Sequence, residues 1–229
     1  MEKKEEKLTF SDKLGKWIYK NRVALISVLA ALFVVGIASA IIFSVVANNT
    51  EKKYAEIYAL ETEYSTTTVN LDLTEDEKNA EFDVILNEVL AIASANSKND
   101  VGIRAYMLAA EIQFAKADFM NAAAAWENAA KIDMNAYTAP LCLYNAAVCY
   151  EELGNVDGAI ANIKKAIESD NFVLKPKAIF NLGRLEESRE NYMGAAEYYN
   201  DLATNYVNDE RSKFAKSRLI YLQEAGLLN

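Results

Sequence analysis

The stretch LCLYNAAVCYEELGNVDGAIANIKKAIESD, from Leu141 to Asp170, decides the fold of this chain. It predicts two amphipathic helices separated by a turn at Gly154, because its apolar residues recur at helical spacing on either side of a glycine. Windows that begin at Ile103 and Pro176 align with the one that begins at Pro140, at intervals of 37 and 36 residues. Self-similarity at this period is typical of stacked helical hairpins. We therefore expect an all-α chain with three hairpin repeats in residues 103–210.

The three windows resemble the tetratricopeptide repeat, in which large, small and aromatic residues alternate through a helical hairpin. In the second window the matching positions are Leu143, Ala146, Ala147, Tyr150, Gly154, Ala159, Ile163 and Ala166. In the third window they are Ile179, Leu182, Gly183, Tyr192, Ala195, Tyr199 and Leu202. Gln113 and Glu186 depart from the family, which usually has an aromatic residue there. The resemblance implies that the two helices of each hairpin cross where the small residues lie.

The flanks of the repeats are also predicted to be helical. Residues 211–229 should form a capping helix, with Phe214, Leu219 and Leu222 packed inward and with Lys213, Lys216 and Arg218 pointing to solvent. Upstream, Thr74 and Glu77 form a capping-box pattern that opens a helix over 75–95. The polar, β-branched residues 64–74 do not favour a helix. We expect 48–102 to be a degenerate helix pair that connects to the repeats, or else its first helix, 51–64, to extend the apolar segment before it.

An uninterrupted apolar run extends from Val23 to Ala47 and contains no charge. As a helix its 25 residues span roughly 37 Å, enough to cross a bilayer core of about 30 Å. Residues 1–22 carry a net charge of +3 and should stay in the cytoplasm, so the long C-terminal part should be translocated. We expect 23–47 to be a single transmembrane helix. The alternative is a secretory signal cleaved after the sequence Ala38-Ser39-Ala40.

Two smaller features lie near this run. The spacing of Phe10, Leu14 and Trp17 favours a short interfacial helix before the span, although a solvated basic tail has the same composition. Within the span, Gly36 and Ala40 form a small-xxx-small pair. Such a pair is compatible with a homo-oligomer, but it is common in alanine-rich spans.

Composition excludes several classes of function. Residues 51–229 carry a net charge of −12, which argues against nucleic acid and anionic lipid as ligands. The chain has no histidine, so it lacks the commonest general base and metal ligand. It also lacks a glycine-rich phosphate loop and the common hydrolase motifs. We expect neither an enzyme nor a cofactor or metal site, and we interpret the acidic residues as a solvated surface.

The two cysteines, Cys142 and Cys149, fall in one predicted helix. Seven residues of helix separate their Cα atoms by roughly 10 Å, too far for a disulfide between them. We interpret both as small buried side chains, with bridging between two molecules as the alternative.

The layout as a whole resembles the YfgM-like family of inner-membrane tetratricopeptide proteins. The most similar stretch is ILNEVLAIASANSKNDVGIRAYMLAAEIQFAKADFMNAAAAWENA, residues 85–129. The resemblance implies a periplasmic accessory of the Sec translocon that works with chaperones on emerging clients. The competing hypothesis is a structural subunit of an envelope machine, such as a periplasmic flagellar collar or a secretion apparatus.

The tetratricopeptide resemblance also implies a binding surface, formed by the first helix of each hairpin at its second, fifth, ninth, twelfth and thirteenth positions. Those positions hold Arg104, Met107, Glu111, Phe114 and Ala115, then Leu141, Tyr144, Val148, Glu151 and Glu152, and finally Lys177, Phe180, Arg184, Glu187 and Ser188. The apolar members form a stripe edged by charge, which suits an extended peptide or an amphipathic helix of a partner protein. Alternatively, about half of them are buried against neighbouring helices.

Overall fold

A computed structural model describes residues 9–228, and helices joined by turns and loops are the regular structure that it shows over that range. The helices are α1 (Phe10–Val69), α2 (Glu75–Ala95), α3 (Asp100–Ala115), α4 (Phe119–Ile132), α5 (Ala139–Glu152), α6 (Val156–Ile167), α7 (Lys175–Ser188), α8 (Tyr192–Asn205) and α9 (Glu210–Glu224). Two compact units meet between Lys52 and Lys53, within α1. The first eight residues of the expected cytoplasmic segment and the last residue of the expected cap lie outside the described range.

The first unit contains the apolar run. Its side chains are exposed almost throughout, and α1 is long and apolar enough to cross a membrane by length and composition. The expected short helix at Phe10 is the beginning of α1, without a break before the apolar run. An apolar surface of this extent needs a non-aqueous environment or a protein partner.

The helix α1 ends at Val69, so the expectation that the polar segment after Tyr64 is not helical was wrong for its first half. Threonine side chains explain the difference. The hydroxyl groups of Thr62, Thr66 and Thr68 donate hydrogen bonds of 2.8 Å to the backbone carbonyls four residues earlier. These bonds satisfy the hydroxyl groups within the helix, so the threonines need no non-helical backbone to pair them.

The second unit begins with the last part of α1, which packs against α2. Ile57 and Leu60 are buried there, and the rings of Tyr64 and Phe82 lie 5.1 Å apart. The capping box predicted at the start of α2 is present, since Thr74 and Glu77 exchange side-chain and backbone hydrogen bonds. The expected helix over 75–95 is thereby confirmed.

Three hairpins follow, formed by α3 with α4, α5 with α6 and α7 with α8. Ala110, Ala147 and Gly183 lie at equivalent positions in the three first helices, and all are buried. Gly183 makes room for a side chain of the paired helix, because an added Cβ would lie 2.4 Å from Cε1 of Tyr199 in α8. The small residues of the repeat therefore set the distance between paired helices, as the tetratricopeptide resemblance implied.

The turn inside each hairpin has the same geometry. Its central residue adopts a positive φ, at Ala117 (57°), Gly154 (69°) and Glu190 (62°). The next residue in each turn caps the second helix, its side chain accepting from a backbone N–H three residues on, and these caps are Asp118, Asn155 and Asn191. Its own N–H donates to a carbonyl five residues back, at 2.8–2.9 Å, which completes a Schellman-type helix ending.

Those carbonyls belong to Gln113, Tyr150 and Glu186, so the two departures from the aromatic pattern lie near the ends of α3 and α7, beside the hairpin turns. Glu186 is buried, and its carboxylate accepts hydrogen bonds from Arg189 Nε at 2.6 Å and Asn191 Nδ2 at 2.7 Å. The charge is compensated by residues of the turn itself, which is how a carboxylate is tolerated in an aromatic position. In Gln113, Oε1 is buried without a hydrogen-bond partner among the described residues.

The last helix, α9, packs against α7 and α8 and closes the stack. Leu222 is fully buried and Leu219 half-buried, as expected for a cap. Phe214 is 57% exposed, which corrects its assignment to the core; its ring lies 6.4 Å from that of Phe180 at the surface. Arg218, expected in solvent, instead forms an ion pair with Glu187.

Both cysteines are buried and free. Burial raises the pKa of Cys142 to about 12 and that of Cys149 to about 11. The thiolate is the reactive form, so both side chains are chemically inert packing groups in the folded protein.

The turns generate a stability prediction. Ala117→Gly and Glu190→Gly should each stabilise the protein by about 1 kcal/mol, because glycine adopts a positive φ without the strain that a Cβ causes. The matched control is Gly154→Ala, which should destabilise by a similar amount, since an added Cβ there meets no atom within 4 Å and only the backbone strain remains. Urea unfolding followed by circular dichroism measures all three. Stabilisation by Gly154→Ala would contradict the turn geometry.

Candidate protein-binding surface

The exposed sides of α3, α5 and α7 carry the residues predicted to bind a partner; we call this side the inner surface. Glu111, Phe114, Ala115, Glu152, Lys177, Arg184 and Ser188 are exposed. Arg104, Met107, Leu141, Val148, Glu151, Phe180 and Glu187 are half-buried. Most of the predicted residues therefore contact solvent, and the apolar ones are partly covered by neighbouring helices.

Tyr144 differs from the expectation, because it is 4% exposed and belongs to the core. Its ring lies 6.0 Å from that of Phe172, and its hydroxyl oxygen accepts a hydrogen bond of 2.7 Å from Asn181 Nδ2. The Lys177 ammonium covers the ring at 5.5 Å from its centroid. The loop before α7 and the side chain of Lys177 thus close over a position that helical spacing alone places on the surface.

Arginine–glutamate pairs join successive helices along the inner surface. Arg104 Nε in α3 donates to Glu61 Oε1 in α1 at 2.8 Å. Arg184 in α7 donates to Glu151 in α5 at 2.7 Å. In the last pair, Arg218 Nε in α9 donates to Glu187 Oε1 in α7 at 3.0 Å. Four of the predicted contact residues are therefore already paired within the chain, and a partner that used them would have to break these interactions.

Glu187 is the most enclosed acceptor of the three. Burial alone would raise the pKa of its carboxyl group, but hydrogen bonds from Arg218 and Tyr199, with the charge of Arg218, lower it overall. The Tyr199 hydroxyl group donates to Oε1 at 2.6 Å. Because α9 supplies Arg218 and α8 supplies Tyr199, this one carboxylate joins the cap to the last hairpin.

The step from α3 to α5 has no such pair among the described residues. Phe114 and Val148 occupy the equivalent positions and line a cavity of about 350 Å³. Its lining residues are Tyr64, Glu111, Phe114, Ala115, Trp126, Asn145 and Val148, and we call it the Glu111 cavity. Cavities of about 580 and 360 Å³ adjoin it, since Glu111 also lines both of them. These three cavities therefore surround the first repeat.

Glu111 has no hydrogen bond or ion pair with any described residue. Burial of the carboxyl group, and then the negative charge of Glu61, raise the pKa of Glu111 above its usual range. Its side chain keeps contact with solvent at the cavity mouth. Arg104, which lies in the same helix as Glu111, already forms an ion pair with Glu61. The Glu111 carboxylate therefore has no cationic partner among the described residues and lines a cavity that also has aromatic walls.

Sequence reasoning missed the part of this surface that comes from other elements. Tyr64 and Glu61 belong to α1, Trp126 belongs to α4, and Arg218 belongs to α9. The helical position rule covers only the first helix of each hairpin, so it does not find them. One signal was available in the sequence. Glu111 is acidic, and the equivalent residue of the next repeat, Val148, is not basic, so it cannot pair with Glu111.

The Glu187 pairs generate a prediction about pH. Since the pKa of Glu187 is lowered in the folded protein, its stabilisation is present above the unfolded pKa, near 4.3, and is lost as the pH falls through the folded value. Glu187→Gln should cost about 1–2 kcal/mol at pH 7. The difference from the unsubstituted protein should shrink as the pH falls below the unfolded pKa of Glu187. Hydrogen exchange of α9 measures it, with Glu197→Gln as the control, and unchanged exchange in α9 at pH 7 would contradict the assignment.

Glu111 should behave in the opposite way. Its raised folded pKa means that the charged form costs stability, so its favourable contribution is present below the unfolded pKa and is lost as the pH rises through the folded value. Glu111→Gln should therefore match or exceed the stability of the unsubstituted protein at pH 7, by less than about 1 kcal/mol because solvent reaches the side chain. Thermal melting at pH 7 measures the effect. A clear loss of stability would show that Glu111 has a partner that supports the fold.

Comparisons with known proteins agree with the geometry at the level of the fold. No family model matches the chain, and no curated protein matches it in sequence. The resemblance to the YfgM-like family is therefore not confirmed. Among solved structures, the chain is similar to the crystal structure of MamA, a tetratricopeptide-like all-helical protein, with a TM-score of 0.50 and 15% sequence identity. The alignment covers 68% of this chain and 87% of MamA, and it shows that the chain has a tetratricopeptide-type fold.

Proposed function

We propose that this chain is a membrane-anchored adaptor that binds other proteins through its inner surface. The observation that carries the proposal is the set of open, partly apolar cavities along the first helices of its hairpins. A tetratricopeptide-type fold is suited to protein interaction because each hairpin adds one segment to a continuous surface. The described residues contain no group of three or more potential metal ligands.

The proposed location is the bacterial inner membrane. The exposed apolar run of α1 would cross the bilayer, with residues 1–22 in the cytoplasm and residues 48–229 in the periplasm. The basic residues before the run support this orientation. From the resemblance to the YfgM-like family we further propose that its partners are client proteins that leave the Sec translocon, together with their chaperones.

A structural subunit of an envelope machine is the second candidate, and one observation favours it. The loops after the second helix of each hairpin expose apolar side chains at equivalent positions: Tyr137 is 84% exposed, Val173 is 89% exposed and Val207 is 60% exposed. Exposed apolar residues that recur in successive repeats are a feature of surfaces that are covered in an assembly. Tyr137 also lines the cavity of about 580 Å³ with Arg104 and Glu111, so at the first repeat these loops border the inner surface.

Site-specific photo-crosslinking in cells tests the proposal. A photoreactive residue at Ala115 or Ser188, both exposed on the inner surface, should give discrete adducts with translocon or chaperone subunits. The same residue at Ala161 or Lys165 in α6 is the control, because both are exposed on a second helix of a hairpin.

Three outcomes separate the candidates. Adducts from the inner positions alone support the adaptor. Adducts with one stoichiometric structural subunit, obtained from Val173 rather than from the inner positions, support the envelope machine. Inner positions that react no more than the α6 controls contradict binding through the inner surface.

A further inference from the structure

The Glu111 cavity combines aromatic walls with one carboxylate. Trp126 is 4% exposed and forms part of the wall; the rings of Phe114 and Tyr64 are more accessible. Phe119 supports Phe114 in an edge-to-face arrangement, with ring centroids 5.2 Å apart. The volume of about 350 Å³ falls within the range of small-ligand sites.

The charge at this cavity is negative and uncompensated. Glu111 has no cationic partner among the described residues, although the other carboxylates that join inner-surface helices, Glu61, Glu151 and Glu187, each have an arginine. The second carboxylate near Glu111 is Glu61, and the domain as a whole is acidic. An anionic ligand would be repelled here, and a neutral apolar ligand would leave the Glu111 carboxylate without a partner.

We propose that the Glu111 cavity receives the lysine or arginine side chain of a partner polypeptide, an inference that rests on the inner-surface binding proposed above. An ammonium or guanidinium group at Glu111 would supply the ion pair that is missing between α3 and α5. Aromatic faces attract the same cation through their quadrupole. The methylene stem of the side chain would pack on Val148 and Ala115.

Fluorine NMR of Trp126 is a direct test, because the chain has two tryptophans and one of them lines the cavity. The full-length chain, labelled with 5-fluorotryptophan and held in lipid nanodiscs, gives two signals, which Trp17→Phe assigns. The probes are three blocked tripeptides with lysine, norleucine or glutamate between two leucines. The lysine peptide should shift the Trp126 signal with a Kd at least fivefold lower than the norleucine peptide, and the glutamate peptide should not shift it.

Two variants distinguish the carboxylate from general acidity. Glu111→Gln should remove the preference for lysine over norleucine while leaving the thermal stability at pH 7 intact. Glu197→Gln makes the same change of charge at an exposed site in α8 and should keep the preference. Added salt should weaken binding of the lysine peptide more than binding of the norleucine peptide.

Failure of this inference is distinguishable from failure of the proposed function. The cation site is wrong if the lysine and norleucine peptides bind with equal affinity. It is also wrong if the Trp126 signal does not shift when the lysine peptide is added at millimolar concentration. If crosslinks from Ala115 and Ser188 persist in that case, inner-surface binding stands without it. If those crosslinks are absent as well, both proposals are wrong.

Discussion

Close approach of the paired helices is the constraint on which the rest of the structure depends. Small side chains at Ala110, Ala147 and Gly183 allow it, and at Gly183 even one added carbon would overlap the ring of Tyr199. At Gly183 the space left by the missing side chain is occupied by the Tyr199 ring of the paired helix, and other large side chains pack between hairpins. Those side chains hold one hairpin against the next, and they fix the spacing at which residues of α3, α5 and α7 meet across the inner surface.

That spacing gives the inner surface two different halves. Toward the C-terminus, arginine–glutamate pairs join α5, α7 and α9, and they satisfy the charges within the chain. Around the first repeat, the equivalent step is apolar and leaves Glu111 without a cation. A partner bound along α5, α7 and α9 would have to break these ion pairs, whereas at the step from α3 to α5 it would meet a carboxylate without a cation and an open space. We therefore propose that a partner is recognised mainly at the first repeat.

Much of the fold was predictable from the sequence because each signal was local. The hairpin period, the capping box at Thr74 and the burial of the cysteines follow from spacing and side-chain chemistry, and the structure agrees with each. The continuity of α1 beyond Tyr64 was not predictable from helix propensity, since threonine hydroxyl groups satisfy themselves within the helix. Tyr144 is buried instead of exposed because Phe172 and Lys177, which are distant in sequence, cover it. Phe214 is exposed instead of buried because the position of α9 places it at the surface. The ion pairs between helices depend on side chains 31 or more residues apart, which no periodicity reveals.

In the proposed topology the repeats lie outside the cytoplasm and are attached to the membrane by the apolar run of α1. Thiol labelling in intact spheroplasts tests this placement most directly, because the native Cys142 and Cys149 are buried and unreactive. Val173→Cys introduces an accessible thiol in a loop of the repeats, and Lys13→Cys introduces one before the apolar run. A membrane-impermeant maleimide should label the thiol at position 173 in intact spheroplasts and the thiol at position 13 only after lysis. Labelling at 173 that requires lysis would contradict the account.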